Sequence, residues 1–350
     1  MQYKTIKLWA VLAVALCHTS QVAGEEQQGK QRPISRVVFG SCIKQDQPTP
    51  IFFTMHAARP DLLLFTGDNI YADTNDMSVL RTKYEKLAAN PDFRRLRQSC
   101  PVRATWDDHD FGINDGGADF AERSDSQKEF VRFWDLPAQS PIRQRPGVYD
   151  VSVFGPAGKR TQVIMLDTRY FRSKLKAGKP RVGGRYVPDD DDRKTMLGAD
   201  QWKWLAEQLR QPAEVRLIVS SIQFAASSAG QECWANLPGE RQRLIDLIRS
   251  TEAKGVVLMS GDRHWSEFSA ITQDVPYPIY DVTCSSLNQL HKRGTPTENA
   301  FRVSETTYHR ENFGVLTIAW DESDPAIQIS IRDIEGTPRI EKDLRLSELQ

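Results

Sequence analysis

Six residues able to hold a metal ion stand far apart in the chain, yet each follows a short apolar run. Val37–Phe39 leads into Gly40-Ser41-Cys42, and Leu62–Phe65 into Gly67-Asp68-Asn69-Ile70-Tyr71. Val102–Thr105 precedes Trp106-Asp107-Asp108-His109-Asp110, and Val215–Ser220 precedes Gln223. Val256–Met259 precedes Ser260-Gly261-Asp262-Arg263-His264. Val163–Leu166 similarly runs into Asp167-Thr168-Arg169. Carboxylates, an imidazole and a thiolate brought to one point repel or stay unpaired unless a cation lies among them. The candidate metal ligands are therefore Cys42, Asp68, Asp108, Gln223, Asp262 and His264. Asp68, on the most central run, is the candidate to bridge two ions. A pair of ions about 3.5–4 Å apart activates water and neutralises a phosphoryl group during in-line displacement. A thiolate suits zinc or iron in one position, and oxygen ligands suit a harder ion such as calcium in the other.

Each motif also has a plainer reading. Gly261-Asp262-Arg263-His264 can be a salt-bridged turn, although residues i and i+2 of an extended segment do point the same way. Cys42 can be a buried core cysteine. Three carboxylates around His109 call for a cation or an anchoring arginine. Ser41 is the only candidate serine nucleophile, and no base stands beside it; a Gly-x-Ser-x-Gly turn is absent. Arg94, Arg95 and Arg97 read as a solvated helix face. The stretch from Arg169 to Asp192 is basic and then acidic. It reads either as an exposed loop or as a rim that draws in an anionic substrate, with Arg169 set apart because it follows a strand end.

The elements that must position these residues alternate at first. Leu62–Phe65 has no polar alternation, as in a strand covered on both faces. Helices are expected over Pro50–Ala58, Met77–Ala89, Asp92–Gln98, Ser124–Leu136, Ala199–Arg210 and Gly239–Thr251, and a hairpin over Val148–Phe154 and Arg160–Leu166. Trp106–Phe120 reads as an irregular loop. After His264 strands dominate: Phe268–Ile271, Ile279–Thr283, Phe313–Trp320 and Ile327–Ile331. The expected fold is α/β, a four-layer αββα sandwich of two mixed sheets flanked by helices, in one domain over 36–350.

Lys4 and Lys7, the apolar run Leu8–Leu16 and the small residues to Gly24 form a signal-peptide pattern, followed by a linker over 25–35. The expected location is periplasmic or secreted. Formal net charge is zero. No global basic field exists to attract nucleic acid, and no later run is long enough to span a bilayer. Cys42, Cys100, Cys233 and Cys284 are too few for a disulfide scaffold, but one pair among the last three is open to bridging in an oxidising compartment.

Taken together, Gly40-Ser41-Cys42, Gly67-Asp68-Asn69-Ile70-Tyr71, Trp106-Asp107-Asp108-His109, Leu166-Asp167-Thr168-Arg169 and Ser260-Gly261-Asp262-Arg263-His264-Trp265 resemble the alkaline phosphatase D family of the calcineurin-like metallophosphoesterases. The resemblance implies a secreted metal-dependent hydrolase of phosphomonoesters or phosphodiesters, with phospholipid head groups among the implied substrates. It implies iron together with calcium, with zinc or manganese as alternatives. Cys42, Asp68 and His264 would hold the first ion, and Asp68, Asp108 and Asp262, with Gln223, the second. His109 would lie against the phosphate as a proton donor or stabiliser, and Asn69 and Arg169 would hold phosphate oxygens. Where long members carry a tyrosine ligand two residues after the cysteine, this chain has Lys44, so the first ion is expected to lack one anionic ligand. The competing class is a non-catalytic secreted protein that binds metal or carbohydrate.

Overall fold

The computed structural model describes residues 32–181, 184–290 and 298–350. The signal-peptide pattern and most of the linker lie outside the described residues. Two six-stranded mixed sheets face each other. The first contains β1 (Arg36–Gly40), β2 (Leu62–Thr66), β3 (Val102–Thr105), β12 (Asn312–Ile318), β13 (Ala326–Asp333) and β14 (Pro338–Arg345), in the order β14-β13-β12-β1-β2-β3. The second contains β4 (Asp150–Phe154), β5 (Thr161–Met165), β8 (Val215–Val219), β9 (Val256–Ser260), β10 (Glu267–Ile271) and β11 (Ile279–Thr283), in the order β10-β11-β9-β8-β5-β4. β1, β2 and β3 run parallel, as do β5, β8, β9 and β11. The carboxyl ends of parallel strands are where such sheets place their sites, and both sheets direct theirs to one seam.

Side-chain alternation explains the layers. Val37, Phe39, Leu62 and Leu64 point into the core shared with Val163, Met165, Leu217 and Val219 of the second sheet. Val38, Leu63 and Phe65 point the other way, onto the helices α1 (Ile51–Ala57), α2 (Met77–Ala89), α3 (Pro91–Arg97) and α5 (Arg123–Phe133). Residues covered on both faces have no reason to be polar, which is why these strands read as continuous apolar runs. Helices α6 (Gly198–Leu209) and α7 (Pro238–Ser250) add Trp202, Leu205, Leu244 and Ile248 to the core of the second sheet.

Three elements differ from the sequence expectation. The Trp106–Phe120 loop contains one turn of helix, α4 (Asp108–Phe111), where Asp110 accepts the Asp107 backbone N–H at 2.8 Å. The segment after Arg172 includes a hairpin, β6 (Ala177–Arg181) with β7 (Gly184–Tyr186). Strand β14 pairs with β13 at the sheet edge, where its charged side chains conceal the apolar alternation. All four described cysteines are free, so the bridge left open among Cys100, Cys233 and Cys284 does not form. Among the described residues no helix is long and apolar enough to cross a membrane.

Candidate metal centre

Cys42, Asp68 and His264 come from different strand ends and place ligand atoms within 4.8 Å of one another. Asp68 also belongs to a carboxylate group with buried Asp107 and Asp108 and partly buried Asp262, and to a third with Asp108 and His109. The backbone bends hard to achieve this. Cys42, Asp68, Asp262 and His264 all have positive φ, between 49° and 65°. Each costs of order 1–3 kcal/mol outside glycine, and such strain persists where the surroundings hold it. Gly67, at φ 111°, leaves no room for a side chain: a Cβ there would lie 2.7 Å from the Asp107 Cβ.

Tyr71 is the ligand-type residue that sequence reasoning missed. Its hydroxyl lies 2.8 Å from His264 Nε2 and donates to Asp68 Oδ2 at 3.2 Å. The signal was present in the spacing: three residues after Asp68, across a tight turn, the chain returns to the same point. Tyr71 thus brings a phenol beside the first group from another loop. Behind the cluster, Ser285 Oγ accepts the His264 backbone N–H at 2.7 Å and lies 3.0 Å from Cys42 Sγ.

The four consecutive residues around His109 separate cleanly. Asp107 Oδ1 accepts from Arg169 Nε and Ser221 Oγ, both at 2.6 Å, while its buried Oδ2 has no partner among the described residues. Asp108 accepts the Asp115 backbone N–H at 2.8 Å. His109 Nδ1 lies 2.7 Å from Asp73 Oδ1, and its ring rests on Tyr71 with centroids 4.2 Å apart. Asp110 turns inward to accept from Asn69 and Tyr84.

Three of the expected residues already have partners within the protein. Arg169 is fully buried between Asp107 and Glu232, with Nη1 2.6 Å from Glu232 Oε2, so it anchors carboxylates and does not face a substrate. Asn69 is fully buried, and its amide nitrogen donates to the Thr105 carbonyl and Asp110. Gln223 turns its amide nitrogen to Glu267 and Thr283, at 2.9 and 2.8 Å, and lines a separate small cavity. Ser41 Oγ is buried and donates to the Cys284 carbonyl, which removes it as a nucleophile.

The electrostatics match a cation site. Burial, then the charges of Cys42 and its carboxylate neighbours, push the Asp68 carboxyl well above its usual range. Asp262 rises through burial and the charge of Asp107. Burial outweighs its hydrogen bonds and lifts the Cys42 thiol to about 11. Burial opposes the charge on Asp108, but Arg169, His109 and the Asp115 N–H together hold it below the usual range. Burial also lowers His109, yet Asp108 and Asp73 outweigh it and raise the imidazole to about 9. A cation among these groups reverses the cost of ionising them, and the partnerless Asp107 oxygen supplies a further donor. The donor set therefore fits metal ions. Beside it opens a cavity of about 450 Å³, whose lining includes Asp108, His109, Asp262, His264, Arg185 and Tyr186.

The chain is similar to known proteins in sequence and fold. The chain is 25% identical over 290 residues to alkaline phosphatase D of Bacillus subtilis, a match covering 70% of this chain and 48% of that protein. It thus spans about half the length of that curated relative. A solved structure of PhoD superposes with a TM-score of 0.72 at 19% identity, covering 92% of this chain and 72% of the other. A dimetal phosphatase from Danio rerio shares the fold at a TM-score of 0.53 and 12% identity, covering 90% and 99%. The sequence profile of the PhoD-like phosphatases matches residues 37–313. With the strand-end motifs inside that span, the chain belongs to the PhoD-like phosphatase family.

Proposed function

We propose that the protein is a metal-dependent phosphoesterase acting on phosphomonoesters, phosphodiesters or both. The observation that carries this reading is Asp68, shared by one group with a thiol and an imidazole and by another made of carboxylates. Cys42, Asp68, Tyr71 and His264 would hold one ion, a set that suits iron. Asp68, Asp107, Asp108 and Asp262 would hold the second, a set that suits calcium. The bound ions supply an activated water and neutralise charge at phosphorus.

The chain's own groups do the rest. Arg169 and Ser221 orient Asp107, and the Asp115 N–H orients Asp108. Asp73 holds His109 by Nδ1, which leaves Nε2 as the atom placed to pass a proton to the departing oxygen. The open cavity supports a leaving group larger than a phosphate, including a phospholipid head group. The amino-terminal pattern supports action outside the cytoplasm.

The test is to assay purified protein, with its metal content recorded, on nitrophenyl phosphate and bis-nitrophenyl phosphate. Turnover that both chelation and Asp68→Asn abolish is expected. Activity that survives chelation would overturn the reading.

A further inference from the structure

The locking of Arg169 leaves a chemical question: which cation meets an incoming anion. Arg169 and Arg172 are buried and share Glu232. Arg263 is 6% exposed, with its guanidinium carbon 4.4 Å from the Trp265 ring centroid and Nη1 3.6 Å from Asp262. Arg185 is different. It lines the same cavity as Asp108, His109, Asp262 and His264, and its side chain is 57% exposed. Only Nη2 is engaged, at 2.9 Å from Asp115 Oδ2 and 2.6 Å from the Tyr186 hydroxyl. Nε and Nη1 have no protein partner among the described residues.

Resting on the phosphoesterase reading, we propose that Arg185 is the substrate-binding arginine of this site: its free N–H groups grip the anionic oxygens of a phosphate ester, in the role that sequence reasoning gave to Arg169. The geometry supplies the mechanism. Arg185 is tied to Asp115, and a carboxylate oxygen of Asp115 lies within 4.8 Å of one on Asp108 and one on Glu232. The pair is open to water on its arginine side, and ion pairs reached by solvent contribute little, so an arriving anion can compete for the guanidinium. Arginine offers a planar fork that matches phosphate oxygens with two N–H groups. Tyr186, with the Arg185 guanidinium 4.9 Å from its ring centroid and its own hydroxyl on Asp115, keeps the side chain on the cavity wall.

The experiment is calorimetric titration of metal-loaded wild-type, Arg185→Gln, Arg185→Lys and Asp115→Asn proteins with inorganic phosphate. Metal content is measured on each sample. Loss of a charge-assisted contact predicts binding weaker by roughly 10- to 100-fold in Arg185→Gln, partial recovery in Arg185→Lys, and binding at least as tight as wild type in Asp115→Asn. A pair that merely braces the loop predicts that Arg185→Gln and Asp115→Asn weaken binding alike, and that result would overturn the proposal. So would unchanged binding in Arg185→Gln, or a wild-type protein that binds no phosphate. Ester hydrolysis by the wild type together with unchanged binding in Arg185→Gln would reject Arg185 alone and leave the phosphoesterase reading standing.

Discussion

Arg169 shows how far burial alters the meaning of a residue. At a strand end it reads as a phosphate ligand; in the fold its charge is spent on Asp107 and Glu232. Removing one partner of a buried charge pair strands the other, so Arg169→Met is expected to lower stability by about 3–5 kcal/mol, measured by denaturant unfolding. His109 gives a second expectation at this scale, for the metal-free protein. Its pKa is raised above that of an unfolded histidine, near 6.5. The stability it contributes is thus fully present below about pH 6.5 and is lost as pH rises through about 9. Asp73→Asn should lower the imidazole pKa by about one pH unit or more, seen in an NMR titration. An unmoved titration would show that Asp73 does not hold the ring.

At the scale of elements, the site depends on abrupt turns after parallel strands. β2 ends at Thr66, and Gly67 swings the chain so that Asp68 faces Cys42 and Asp107 lies against the turn. Gly67→Ala would force a Cβ against Asp107 at a φ alanine disfavours. It should destabilise by more than about 1 kcal/mol and lower metal content in the same sample. Retention of both would mean that the turn relaxes without moving the ligands. The one-turn helix α4 works similarly: it points Asp110 inward and leaves Asp108 facing the cavity, a division that the crowded Asp107-Asp108-His109-Asp110 string does not announce.

Across the whole molecule, the centre lies on the seam between the sheets. Thr105 Oγ1 at the end of β3 donates to the Leu166 carbonyl beyond β5 at 2.7 Å, and the Trp106 indole donates to Asp167 at 2.9 Å. Ser41, after β1, reaches the Cys284 carbonyl after β11. Ions held by ligands from both sheets would therefore tie the sheets together. A ligand at 100 times its Kd adds about 2.7 kcal/mol to stability, so chelation should lower the Tm by several degrees. Asp68→Asn should lower it similarly and make it nearly insensitive to chelator. An equal chelator effect in the variant would place the stabilising ions elsewhere.

The apolar runs without alternation, the strand-end motifs and the helix periodicities are local properties, and they carried the layer architecture and most candidate ligands. Cys42, Asp68, Asp108, Asp262 and His264 were legible because each follows its own strand within a few residues. The internal partners of Arg169, Asn69 and Gln223, and the approach of Tyr71 to Asp68, were not legible, for one physical reason. Type and position name a group that can bind, but only packing decides which way a side chain turns and which neighbour claims it. Asn69 was claimed by Asp110, Gln223 by Glu267 and Arg169 by two buried carboxylates. Arg185 lies on the cavity wall because it and its neighbour Tyr186 meet Asp115, a long-range contact with no local signature.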